Sequence, residues 1–141
     1  MNYKKQLLSL LGAVALGLAG AANAAIETVN VDGIQSWDEF GDIDNTVLSI
    51  DLGPGAVITG LGWDVSVTPI GASWYSETSY SITDSGGGQG VNVAPGAGDD
   101  IPGAGAPLSY NSGGTLSLAD NGISDIVLAD GILVIEFFES Y

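Results

Sequence analysis

The chain has 141 residues, with 17 Asp and Glu against two Lys, and no Arg, His or Cys. Without imidazole or thiol there is no Ser-His-Asp triad, no Cys-His pair, no zinc-type metal site and no disulfide. Without a basic patch, nucleic acid and anionic membranes are excluded as partners.

The first segment reads as a leader. Lys4 and Lys5 form a short positive region, Leu7–Ala21 an apolar run, and Ala22-Asn23-Ala24 a small-x-small cleavage pattern. Residues 1–24 are therefore expected to be a secretory signal peptide, cut after Ala24. The run is short and broken by Gly, which disfavours an uncleaved anchor. The mature chain would be Ala25–Tyr141, a single domain of 117 residues. It holds all 17 acids and no base, so its side-chain charge is −17. Self-repulsion of that size is offset by salt or by divalent cations.

The rest reads as short strands between turns. Ile26–Val31 is a short strand candidate. Thr46–Leu52 places Leu48, Ile50 and Leu52 on one face. In Val57–Val67, Val57, Leu61, Trp63, Val65 and Val67 share a face, and Ile58, Gly60, Gly62, Asp64 and Ser66 take the other. That alternation marks a half-buried strand. Ser73–Ile82 repeats it, with Trp74, Tyr80 and Ile82 together. Ser85–Gly114 holds ten Gly and three Pro in 30 residues. It is expected to be a long mobile loop with one short strand near Val91–Ala94. Its Gly86–Gly90 run lacks the following helix and Lys of a phosphate loop. Thr115–Leu118 and Ile126–Leu128 are short strands. Ile132–Tyr141 closes the chain with Leu133, Ile135, Phe137 and Tyr141 on one face. No mature segment carries a helical stripe, so the fold class is all-β, an antiparallel β-sandwich or jelly roll.

Several of these stretches form a pattern. They are Ser36-Trp37-Asp38-Glu39-Phe40-Gly41-Asp42, Asp44-Asn45-Thr46-Val47, Gly60-Leu61-Gly62-Trp63-Asp64-Val65, Ser73-Trp74-Tyr75-Ser76-Glu77 and the closing Asp130–Tyr141. Over nearly the whole mature chain, this resembles a family of small secreted bacterial β-sandwich proteins, many of the PEP-CTERM, exosortase-sorted type. The resemblance implies an extracellular or surface-matrix protein of a Gram-negative bacterium, generally without an assigned activity. Members of that type end in a Pro-Glu-Pro signal, an apolar helix and a basic cluster. The residues up to Tyr141 contain none of these, so membrane sorting by that route is not carried over.

The candidate sites are few. Trp37 follows a turn and precedes Asp38-Glu39, which makes it the candidate ligand-binding aromatic, a stacking surface for sugar. Trp63 and Trp74 sit on apolar faces and are expected in the core. Asp42, Asp44 and Asn45 offer oxygens on one turn, and Asp120, Asp125 and Asp130 on a second set. These suit calcium, although none has the spacing of a helix-loop-helix calcium loop. The competing reading is that Asp and Asn occupy turns because their side chains bond local backbone. For catalysis only Asp, Glu, Tyr, Ser and Thr remain, and Asp-Thr-Gly is absent, so no enzyme is expected. The expected role is structural or adhesive, secreted to the cell surface, the matrix or the periplasm. The alternative is a carbohydrate-binding module stabilised by calcium. An extracellular polysaccharide or the surface matrix is the expected partner.

Overall fold

The computed structural model describes residues 13–20, 23–102 and 105–140. The alternating segments become strands β1 (Ala13–Gly20), β2 (Asn23–Asn30), β3 (Thr46–Asp51), β4 (Ala56–Val67), β5 (Thr78–Asp84), β6 (Gly90–Val93), β7 (Leu108–Asn111), β8 (Leu116–Ser117), β9 (Ile126–Leu128) and β10 (Ile132–Glu139). One sheet runs β3-β10-β5-β6. The other runs β2-β1-β4, with β9, β8 and β7 pairing successive stretches along the other edge of β4. Every pairing is antiparallel, and the two sheets form an all-β sandwich.

The core follows from period two. Leu133, Ile135 and Phe137 of β10 are fully buried, opposite Ile82 and Tyr80 of β5 and Leu48 and Ile50 of the edge strand β3. From the other sheet come Val29, Ile58, Leu61, Val65, Val67, Ile126 and Leu128. β10 is an interior strand of its sheet, as β5 is, which is why its apolar side chains are so thoroughly covered.

The alternation of β4 breaks where the register breaks. Gly17 pairs with Gly60, but Leu18 pairs with Ile58, so Thr59 is an extra residue in the ladder. A bulge of this kind turns the following side chains to the opposite face. Ile58 is therefore fully buried against Ile126, and Val57 is half-buried, the reverse of the expected assignment.

Two further expectations are corrected. Trp74 is not on the buried face of a strand; it is 40% exposed. The run Ser73–Ile82 is interrupted by a 3₁₀ turn at Tyr75–Glu77, and the Trp74 N–H donates to Glu77 Oε2 at 2.9 Å. The strand starts only at Thr78, so Trp74 loses its register with Tyr80 and Ile82. The second correction is the Gly-rich segment 85–114, which contains both β6 and β7. Two phenols tie it down. Tyr75 donates to the Ala106 carbonyl at 2.6 Å, and Tyr110 to Asp99 Oδ2 at 2.7 Å. Gly96 passes so close to Tyr75 that a Cβ there would meet its carbonyl oxygen at 2.5 Å.

β1 falls inside the segment read as a leader. Its pairing runs Ala13–Gly20 against Asn30–Asn23, and Val14–Leu18 against Trp63–Ile58. A chain beginning at Ala25 is expected to lose hydrogen-exchange protection at alternate amides of 58–63 while keeping it along 132–139. Exchange mass spectrometry on the two lengths measures this, and equal protection at 58–63 would mean that β1 contributes no ladder.

The turn before β10 packs against the turn after β3. Gly131 has φ +85, and a Cβ there would lie 2.2 Å from the Gly53 carbonyl carbon. Gly131→Ala combines left-handed strain with a backbone clash. It is expected to cost about 2–4 kcal/mol in chemical unfolding.

Candidate functional site

The acids were the first candidates, and their hydrogen bonds show how they are used. An Asp or Asn side-chain oxygen accepts the N–H two residues on at Asn30–Asp32, Asp42–Asp44, Asp51–Gly53, Asn111–Gly113 and Asp130–Ile132, at 2.6–3.0 Å. These are Asx turns, in which a short polar side chain stands in for a backbone carbonyl. Asp84 Oδ1 closes the β5–β6 turn in a related way by accepting the Gln89 N–H at 2.8 Å.

Asn45 does more than turn the chain. It is 8% exposed, and both ends of its amide are occupied. Its Oδ1 accepts the N–H groups of Trp37 and Asp38, each at 3.2 Å. Its Nδ2 donates to the Glu39 carbonyl at 2.8 Å and to Glu136 Oε1 at 3.0 Å. Glu136 Oε1 also accepts the Gly41 N–H at 2.6 Å. One amide and one carboxylate thus clip the 36–45 loop onto β10, and Phe40 lies edge-on to Phe138 with ring centroids 5.4 Å apart. Of the expected first calcium set, Asp42 serves its own turn, Asp44 is exposed and Asn45 is this clip.

The second set is distributed over three places. Asp120 lies in a 3₁₀ turn at Ala119–Asn121, where its N–H donates to Ser117 Oγ at 3.2 Å. Asp125 is exposed ahead of β9. Asp130 sits between β9 and β10, where Oδ1 accepts the Ile132 N–H at 3.0 Å and Oδ2 accepts the Ser85 hydroxyl at 2.7 Å. Those two bonds hold the Asp130 carboxyl below its ordinary range. Among the described residues, no three acidic side chains come together as a group able to hold a metal.

Of the tryptophans, Trp74 departs from the expectation and Trp63 packs on the core as expected. Trp37 is half-buried beside the Asn45 clip. Trp74 is the exposed one, in a bridge to Pro102 beside the 54% exposed Ile101. Trp63 is half-buried and packs on the core, but it also walls a cleft of about 230 Å³ with Leu61, Val93, Leu116, Leu118 and Ile123. Asn92, Ser117 and Asn121 are the polar residues of its lining. A mostly apolar cleft with a few polar groups is the usual form of a small-ligand site. The sequence carried no signal for it, because its walls come from β4, β6 and the 116–123 segment, up to 62 positions apart.

Two consequences can be measured. Asn45→Ala removes four hydrogen bonds and strips Glu136 of one donor. The loss is expected to be about 2–3 kcal/mol in denaturant unfolding, with Phe40 released from Phe138. Asp130 has a lowered carboxyl pKa in the fold, so its contribution is present above the unfolded value near 4 and is lost as pH falls through the lowered one. Asp130→Asn is therefore expected to flatten the fall in melting temperature between about pH 6 and pH 3.

The comparisons with known proteins return nothing: no family model matches the chain, and neither a curated protein nor a solved structure is significantly similar to it.

Proposed function

We propose that this chain is an exported, acidic β-sandwich with a structural or adhesive role at the cell surface or in the extracellular matrix. The reading rests chiefly on how its carboxylates and amides are used. They shape turns and clip loops, so the charge stabilises the fold and keeps its surface solvated. The likeness of its segments to PEP-CTERM-type secreted proteins supports the same reading. On it, β1 belongs to the precursor alone. β2 and β4 each run antiparallel to β1 and so run parallel to each other, and direct contact between them would be a parallel pairing.

The test is expression of the 141-residue chain in a Gram-negative host. Intact mass is expected to show an N-terminus at Ala25, with the protein outside the cytoplasm and enriched in the polysaccharide matrix. An intact Met1 form confined to the cytoplasm would overturn the reading.

A second reading is favoured by the cleft at Trp63. An apolar cleft with one indole and a few polar residues suits a sugar ring, which offers apolar faces and hydroxyls together. In a carbohydrate-binding module of this kind, Trp63 rather than Trp37 would carry the contact. Titration with neutral and acidic oligosaccharides is expected to shift the Trp63 indole and the Asn92 and Asn121 amide resonances. Unmoved resonances at millimolar sugar would dispose of this second reading.

A further inference from the structure

One end of the sandwich core is polar, and the turn acids described above take no part in it. Thr78 and Glu139 are direct partners in the β5–β10 ladder, two positions beyond the Tyr80–Phe137 pair. Residues opposite each other in a ladder share a face, with Cβ atoms about 4.5–5.5 Å apart. Thr78 and Glu139 therefore point to the core side, as Tyr80 and Phe137 do. Thr78 is 1% exposed and Glu139 2%.

Two chain crossings close over this pair. On one side the Glu139 N–H donates to the carbonyl of Asp38, two residues after Ser36, at 2.9 Å. On the other, the Ser140 N–H donates to the Glu77 carbonyl at 2.8 Å, and the Glu77 N–H to the carbonyl of Trp74, the residue after Ser73, at 3.2 Å. Ser36 and Ser73 are each fully buried. The hydroxyls of Ser36, Ser73, Thr78 and Tyr80 have no hydrogen-bond partner among the described residues.

Four such buried hydroxyls are costly in a small core. A buried polar group without a partner destabilises by about 1–3 kcal/mol. Native folds rarely retain several without a ligand or water that uses them. Hydroxyl and carboxylate oxygens are the donors that hard cations take, in sets of six to eight for calcium. Glu139 supplies formal negative charge to the set, and the net charge of −15 raises the local concentration of cations.

We propose that this end of the sandwich binds one hard cation, sodium or calcium, through the hydroxyls of Ser36, Ser73 and Thr78 and the Glu139 carboxylate. Tyr80 lies two residues along β5 from Thr78, on the same face. The site is distinct from the Asp42–Asn45 and Asp120–Asp130 sets. It ties the two crossings, 31–38 and 71–77, to the ends of β5 and β10.

The test uses the full 141-residue chain, freed of metal and held in tetramethylammonium chloride. Thermal unfolding is followed while sodium or calcium replaces the inert cation at constant ionic strength. In one of the two arms the midpoint is expected to rise by about 5 °C or more and to saturate. Calorimetric titration is expected to give one ion per chain. Thr78→Val and Ser73→Ala are expected to abolish the rise and to melt no lower than wild type in tetramethylammonium, since each removes an unpartnered hydroxyl. Asp42→Asn and Asp130→Asn are expected to keep the rise.

No saturable rise in either arm would overturn the proposal. So would a rise that survives in Thr78→Val and Ser73→Ala but is lost with the turn acids. An equal destabilisation of Thr78→Val in every salt would also overturn it, because water alone would then satisfy these hydroxyls.

Discussion

From Gln6 to Tyr141 the chain has no cationic side chain, so carboxylates in that span find their donors among backbone N–H groups, hydroxyls and amides. That constraint organises the structure. A carboxylate bonded to a backbone N–H close to it in the chain sits where the chain turns or ends a strand, because ladder N–H groups are already taken. Four of the acids are found there, Asp42, Asp51, Asp84 and Asp130, each with an N–H within hydrogen-bond distance. Glycines with positive φ follow directly or nearby, as at Gly53, Gly87 and Gly131, and let the chain complete its reversal.

The same constraint explains how the two faces of the smaller sheet differ. Its inner face is apolar through Leu133, Ile135 and Phe137. On the other face, Glu136 is 9% exposed and is held by Asn45 and the Gly41 N–H, where an arginine would serve in an ordinary protein. The clip covers Phe138 with Phe40, so the loop that supplies the donors also supplies the apolar cover. One carboxylate therefore determines the path of about ten residues of loop.

The candidate sites were only partly legible in the residues. That Asp and Asn in Gly-rich stretches would serve turns could be read from local chemistry, since an Asx turn needs only three consecutive residues. Which tryptophan would be exposed could not. Trp74 lies on an alternating run, but Ser76-Glu77 folds into a 3₁₀ turn capped by the Glu77 side chain, and the alternation no longer reports a face. The cleft beside Trp63 and the buried hydroxyls of Ser36, Ser73 and Thr78 are assembled from strands and crossings far apart in the chain. Each hydroxyl taken alone is an unremarkable Ser or Thr.

By itself the sequence determined the all-β class, most of the strands, and the exclusion of imidazole, thiol and basic-patch chemistry, because period-two patterning and residue inventory are local properties. The tertiary structure alone decided that β10 is interior, that Thr59 bulges and turns Ile58 inward, and that segment 85–114 holds two strands. It also decided that Asn45 meets Glu136 across 91 positions. Those outcomes depend on which strand lies beside which, and strand pairing is settled by long-range register and by the closure of loops over the core.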